Sequence, residues 1–171
     1  MADRTVNVLF LCTGNSCRSS LAESLLNHLG GGRYAGFSAG SHPADRPNPW
    51  TIQVLEKRGL PTDGLRSKNW DVFAAGNEPD APVMDIVITV CDNAAGEVCP
   101  IWPGGPVSAH WGIPDPASFV GSDEETEAVF GEALDRMERR IRALLALSLE
   151  TLDENDLKRQ LNQIGSPGEG N

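Results

Sequence analysis

The sequence lacks any long apolar run, and its first residues, up to Thr5, contain no hydrophobic segment of the kind that leads a secreted protein. The first apolar stretch, Val6 to Leu11, is far shorter than the roughly 20 apolar residues that a membrane-spanning helix needs. We therefore expect no signal peptide, no membrane association and a cytoplasmic location.

Basic residues are also scarce. The chain has 14 Lys and Arg against 24 Asp and Glu, a formal net charge of −10. This charge argues against nucleic acid or an anionic membrane as a partner. An anion-binding site in so acidic a protein must depend on positive electrostatic potential close to the site, and not on the net charge.

Cysteine is rare, with four residues in 171. In a reducing compartment, four cysteines indicate catalytic, redox or inert thiols rather than a structural disulfide framework. The chain also lacks internal repeats and low-complexity segments. Its length and its 40% apolar content indicate one globular domain, residues 1–165, followed by a flexible tail, residues 166–171. A monomer is the default expectation.

The stretch that organises the chain runs from Cys12 to Ser19. It follows the pattern of a buried strand, Val6 to Leu11, and precedes leucines at helical spacing between Leu21 and Leu29. A loop that enters a helix directs unpaired backbone N–H groups at one point, where the helix dipole also favours negative charge. The stretch therefore predicts an anion-binding loop.

Within this loop, Cys12 is a candidate nucleophile, because the N–H groups and the Arg18 guanidinium both favour the thiolate. Gly14 is expected to let the backbone turn without a Cβ clash, and Asn15 to adopt a left-handed conformation. Arg18 can grip two oxygens of a tetrahedral oxyanion. The alternative is a small buried cysteine with no chemical role. The predicted oxyanion-binding residues are Thr13, Gly14, Asn15, Ser16, Cys17, Arg18 and Ser19.

Strand and helix patterns alternate along the rest of the chain. Strands are predicted at 33–40, 84–90 and 107–111, and helices at 50–58, 122–147 and 151–164. Residues 65–73 are predicted to be a loop that enters a short helix. In the long helix the predicted core positions are Val129, Leu134, Met137, Ile141, Leu144 and Leu145. The alternation predicts an α/β fold, a parallel sheet with helices on both faces. Sites in such sheets form at the carboxyl ends of the strands, where Cys12, Cys91 and Asp115 all lie.

Residues 8–19, Val-Leu-Phe-Leu-Cys-Thr-Gly-Asn-Ser-Cys-Arg-Ser, resemble the phosphate-binding loop of the low-molecular-weight protein tyrosine phosphatase superfamily. Within it the chain resembles the ArsC-type arsenate reductases. The resemblance implies a three-layer fold with a four-stranded parallel sheet. It also implies that Asp115, which precedes Pro116, is the general acid that protonates a leaving oxygen. A turn aspartate is the alternative.

Cys91 and Cys99 distinguish the two activities of this superfamily, because a phosphatase needs one thiol and a reductase needs more. Seven residues separate the pair, one more than in the best-known reductases. His110-Trp111-Gly112 also resembles the reductases. The phosphatases typically carry aromatic residues after Asp-Pro, whereas Ala117-Ser118 follows here, and the chain has a single tyrosine, Tyr34. The alternative is two unrelated thiols.

The resemblance therefore implies arsenate reduction. Cys12 attacks arsenate, Cys91 then attacks Cys12, and Cys99 carries the disulfide to thioredoxin or glutaredoxin, with no organic cofactor. The alternatives are a phosphatase that forms a phosphocysteine and a non-catalytic oxyanion-binding module.

The sequence allows two roles for Cys17 and two roles for a second set of polar residues. Cys17 corresponds to a cysteine that forms a protective disulfide with the nucleophile in several phosphatases, and a packed thiol is the alternative. A second set of residues matches positions that bind potassium in some reductases, although Asn69 replaces an aspartate ligand. That set is Asn15, Glu23, Ser38 and Ser67. Loop bracing and helix capping are its alternative roles.

Overall fold

A computed structural model of the chain describes residues 4–74, 82–91, 102 and 105–166. Its strands are β1 (Val6–Cys12), β2 (Tyr34–Gly40), β3 (Ile86–Thr89) and β4 (Val107–His110). Its α-helices are α1 (Arg18–Leu29), α2 (Pro49–Lys57), α3 (Asp123–Leu145) and α4 (Glu154–Ile164). Short 3-10 helices cover Trp70–Phe73, Pro116–Ser118 and Leu149–Thr151. Within these ranges, no helix is both long enough and apolar enough to traverse a lipid bilayer.

The four strands form one parallel sheet in the order β2-β1-β3-β4, which confirms the predicted architecture. β1 is an interior strand that pairs with β2 over its whole length, so that Cys12 lies opposite Gly40. All four strands end at the same edge of the sheet. The loops after β1, β3 and β4 therefore meet there.

The two faces of the sheet carry separate apolar clusters, as expected for strands buried on both sides. One cluster includes Phe10 and Ile88 and packs against α1, α2, α3 and α4. The other includes Leu9 and Leu11 and packs against the 3-10 helix Trp70–Phe73. The layers predicted on both faces are thus present.

The long helix α3 differs from its prediction at one core position. Phe130, not Val129, is fully buried, and it begins a seam that continues through Leu134, Met137 and Ile141. Val129 is about 100° around the helix from that seam, and it lines a cavity beneath the loop after β4. Leu145 is half-buried and packs against the core beside the fully buried Leu144, as predicted.

The last helix begins later than predicted. Residues 149–151 form a 3-10 turn, and α4 starts at Glu154 because the Asp153 side chain accepts a hydrogen bond from Asp156 N at 2.8 Å. Asp153 thus caps the helix, which fixes its first turn. The predicted tail lies outside the described residues beyond Ser166.

Candidate active site

Cys12 ends β1 and is 3% exposed. Its Sγ accepts a hydrogen bond from Asn15 N at 3.1 Å and lies 3.0 Å from Ser19 Oγ. Asn15 Nδ2 donates to the same Ser19 oxygen at 2.9 Å, which leaves the Ser19 hydroxyl hydrogen available to the sulfur. Two hydrogen-bond donors, Asn15 N and the Ser19 hydroxyl, are therefore directed at the one sulfur.

The carbonyl groups of the loop all have hydrogen-bond donors on its outer side. Thr13, Gly14, Asn15 and Ser16 each accept a bond through the backbone oxygen, at distances between 2.7 and 3.0 Å. Their donors are His42 N, Ala44 N, Ser67 Oγ, and Asn48 N with Thr51 Oγ1. A trans peptide places its N–H opposite its C=O. The N–H groups of residues 14–17 therefore point to the inner side of the loop, where Asn15 N reaches the Cys12 sulfur.

The left-handed turn of the loop falls at Asn15, whose φ is 48°, as predicted. The expectation for Gly14 is wrong, because a Cβ there would meet only Ser16 Oγ, at 3.7 Å. The glycine that this loop requires is Gly40, at the end of β2. A Cβ on Gly40 would come within 3.0 Å of Thr13 O, Cys12 O and Asn15 N. A glycine is therefore required at position 40, where β2 approaches the loop closely, and not at position 14 within the turn.

Arg18 and Asp115 both line a cleft of about 280 Å³ that Cys12 also lines. The Arg18 guanidinium donates to Ile113 O at 3.2 Å and lies 3.8 Å from an Asp115 carboxylate oxygen. Arg18 Nε is buried and has no hydrogen-bond partner among the residues described. The cleft thus combines a cation, a carboxylate and a thiol.

Of the predicted oxyanion-binding residues, those that line the cleft are Thr13, Gly14, Ser16, Cys17 and Arg18. Asn15 and Ser19 are fully buried beneath the loop and contact the Cys12 sulfur instead. Asn15 reaches the sulfur through its backbone N, and its side chain donates to Ser19 Oγ.

The loop that carries Asp115 is fixed by a buried arginine that sequence reasoning missed. Arg140 is 5% exposed and donates to Trp111 O at 2.9 Å and to Gly112 O at 3.0 Å. Burial lowers the pKa of Arg140 from its usual value. The helical spacing of the sequence could have indicated that Arg140 faces the core. Arg140 lies three residues after Met137 and four before Leu144, and both of these are on the buried seam.

The described cysteines other than Cys12 occupy different places around the loop. Cys91 follows β3, is 2% exposed, and its Sγ lies 3.6 Å from Thr13 Oγ1. Cys17 is in the thiol form within the loop, and burial raises its pKa. Cys99 lies outside the described residues. The structure thus brings one of the two predicted relay thiols against the nucleophile's loop.

The residues of the predicted potassium site do come together, but the arrangement does not fit a potassium ion. The Lys68 ammonium lies among their oxygens, 2.7 Å from Ser38 O and 3.9 Å from a Glu23 carboxylate oxygen. Ser67 donates to Asn15 O, and Asn69 caps the 3-10 helix through Asp71 N. These contacts match the bracing and capping roles.

Comparison with known proteins agrees with this fold and site. The family model for low molecular weight phosphotyrosine protein phosphatase matches residues 7–160, and the chain belongs to that family. Its curated relatives within the family include arsenate reductases. Those of Halalkalibacterium halodurans and Bacillus subtilis are 36% and 33% identical to it over 135 residues, which is 79% of this chain and 91% of each relative.

Solved structures similar to this chain include arsenate reductases. A structure described as an arsenate reductase in the phosphate binding state has a TM-score of 0.63 and 28% identity, covering 83% of this chain and 98% of that one. The Corynebacterium glutamicum thioredoxin-dependent arsenate reductase has a TM-score of 0.59 and 29% identity, covering 84% of this chain and 62% of that one. The resemblance seen in residues 8–19 is thereby confirmed.

Proposed function

We propose that the protein is an arsenate reductase that works through a thiol relay. The observation that carries this proposal is the placement of Cys91 against the loop of Cys12, with its Sγ 3.6 Å from the Thr13 hydroxyl. A phosphatase has no use for a second thiol there. The arsenate reductases among its relatives support the same choice.

In the first step, arsenate binds to the inward N–H groups and to the Arg18 guanidinium, which lines the cleft and can donate to two of its oxygens. The Cys12 thiolate attacks arsenic, and one arsenate oxygen leaves as water after Asp115 supplies a proton. The product is a Cys12 thioester of arsenate, with arsenic still in the +5 state.

In the second step, the Cys91 thiolate attacks the Cys12 sulfur. The sulfur–arsenic bond breaks, arsenic keeps its electron pair and leaves as arsenite, and the two thiols are oxidised to a Cys12–Cys91 disulfide. Cys99 then attacks Cys91, which restores the Cys12 thiol and leaves a Cys91–Cys99 disulfide. A dithiol protein of the thioredoxin or glutaredoxin type reduces that disulfide. This protein thus supplies the two electrons that reduce each arsenate to arsenite.

Replacement Cys99→Ser is expected to stop the relay after one turnover. Each molecule should release one arsenite and then hold a Cys12–Cys91 disulfide that an external dithiol protein reaches poorly. The measurement is arsenite released per enzyme, with thioredoxin and glutaredoxin systems supplied side by side, followed by mapping of the disulfide by mass spectrometry.

The matched control is Cys91→Ser, which should release no arsenite in the same assay, because nothing breaks the sulfur–arsenic bond. Full steady-state turnover by Cys99→Ser would refute the relay. Rapid hydrolysis of p-nitrophenyl phosphate by both variants, with negligible arsenate reduction by the wild type, would support the phosphatase alternative.

Replacement Asp115→Asn is expected to lower kcat for arsenate reduction by about 10²-fold, since general acid catalysis contributes roughly 10²–10⁴. Asn keeps the oxygen that accepts the hydrogen bond from Ala117 N at 3.0 Å, so that the turn should persist. Steady-state kinetics with saturating reductant measure the effect. Unchanged kcat would show that Asp115 takes no part in the chemistry.

A further inference from the structure

Lys68 is a buried lysine whose ammonium is enclosed by protein oxygens. Its side chain is 9% exposed. Nζ donates to Ser38 O at 2.7 Å and to Arg66 O at 2.9 Å. Lysine is rarely buried without a partner of opposite charge, and here the partner is Glu23, whose carboxylate oxygen lies 3.9 Å from Nζ.

Glu23 is held in place from the other side. Its carboxylate accepts a hydrogen bond from Ser38 Oγ at 2.5 Å, and its side chain is 14% exposed. Burial raises the pKa of Glu23 and lowers that of Lys68, and each charge opposes the shift of the other. The Arg66 charge favours the ionised form of Glu23 and disfavours that of Lys68. The two ends of the pair therefore depend on each other to stay charged.

The arrangement is chemically that of a monovalent cation site. Backbone carbonyl oxygens and one carboxylate are the groups that replace the hydration shell of a potassium ion. Here a tethered ammonium, with the same charge, occupies the position. A free potassium ion would have to displace Nζ and lie next to a buried positive charge, which is costly.

We propose that the Lys68 ammonium is a built-in substitute for a bound monovalent cation, and that it acts as a positioning residue for Cys12. It joins the end of β2, through Ser38 O, to the segment 66–69, which also pairs with Gly40. The protein should therefore need no potassium to hold its anion-binding loop in place.

The path from Lys68 to the sulfur runs through Asn15. Lys68 N donates to Asn15 Oδ1 at 2.9 Å, and Ser67 Oγ donates to Asn15 O at 2.7 Å. Asn15 N in turn donates to Cys12 Sγ at 3.1 Å. An ammonium that holds residues 66–68 against β2 thus holds the residue that donates to the nucleophile.

The first test uses the wild-type protein. Its melting temperature and its affinity for inorganic phosphate, measured by calorimetry, should be the same in KCl, NaCl and LiCl at equal ionic strength. A selective gain in either quantity in KCl would overturn the proposal, because it would show a potassium site that Lys68 does not fill. These readouts do not depend on arsenate chemistry, so a failure here is separate from a failure of the proposed activity.

The second test removes the ammonium. Lys68→Ala leaves Glu23 without its partner, and the melting temperature should fall by about 5–10 °C, as expected for breaking a buried pair in a chain of this size. The vacated space should then bind potassium, and KCl should restore most of the loss through ligand linkage, whereas LiCl should not. Phosphate affinity should recover in parallel.

Two variants serve as controls. Lys68→Met removes the charge but keeps a side chain in the space, so that its loss should be the same in KCl and LiCl. Lys57→Ala removes an exposed lysine that pairs with Glu127, and should change neither quantity. A Lys68→Ala protein that is equally destabilised in both salts would overturn the proposal. If this variant fails to fold in LiCl but is recovered folded in KCl, the proposal is supported.

Discussion

Cys12→Ser is expected to abolish arsenate reduction, with a loss of about 10⁴-fold or more. A serine hydroxyl does not ionise near neutral pH, and it has no sulfur to exchange with Cys91. The two groups that approach the sulfur, Asn15 N and the Ser19 hydroxyl, would then face an oxygen that keeps its proton. Neither step of the relay can proceed.

The same variant should keep its fold and much of its anion affinity. The oxygen is smaller than the sulfur it replaces, and the inward N–H groups of residues 14–17 are held by bonds on the outer side of the loop. Arsenite release should be measured together with thermal unfolding and calorimetric phosphate binding. Turnover within about a hundredfold of wild type would exclude Cys12 as the nucleophile.

Arg18→Lys is expected to lower kcat/KM for arsenate by about 10²–10³-fold, although the charge is retained. A lysine ammonium cannot grip two oxygens with fixed geometry. The substitution also removes the guanidinium's hydrogen bond to Ile113 O and its contact with Asp115. These two contacts position the loop after β4. The loss should therefore appear in both kcat and KM.

Arg58→Lys is the matched control, because Arg58 lies at the surface and pairs with Asp135. Its kinetics should equal those of the wild type. If Arg18→Lys stayed within about threefold of wild type, a point charge would suffice and the guanidinium fork would have no special role.

Much of the fold was predictable because its elements have strong local patterns. The apolar run of β1, the leucines of α1 and the acidic capping box that starts α3 at Ser122 each identify their element without tertiary information. The order of these elements predicted the parallel sheet, and hence the edge at which Cys12, Cys91 and Asp115 meet.

The parts that were not predictable depend on tertiary contact. A lysine in an irregular segment is exposed in most proteins, and the burial of Lys68 arises only when residues 66–69 pack against the end of β2. In the same way, the requirement for Gly40 comes from a loop that lies 25 or more residues earlier in the chain. The prediction placed Val129 in the core instead of its neighbour Phe130, because the repeat of apolar residues along a helix distinguishes adjacent positions poorly.

The outward bonds of the loop carbonyls have a consequence for protein engineering. The donors come from residues 42–51 and from Ser67, none of which belongs to the signature stretch itself. An excised peptide of residues 8–19 would be an unstructured chain without a concave ring of amides. Transplanting the motif into another scaffold would therefore require a host that supplies equivalent donors around it.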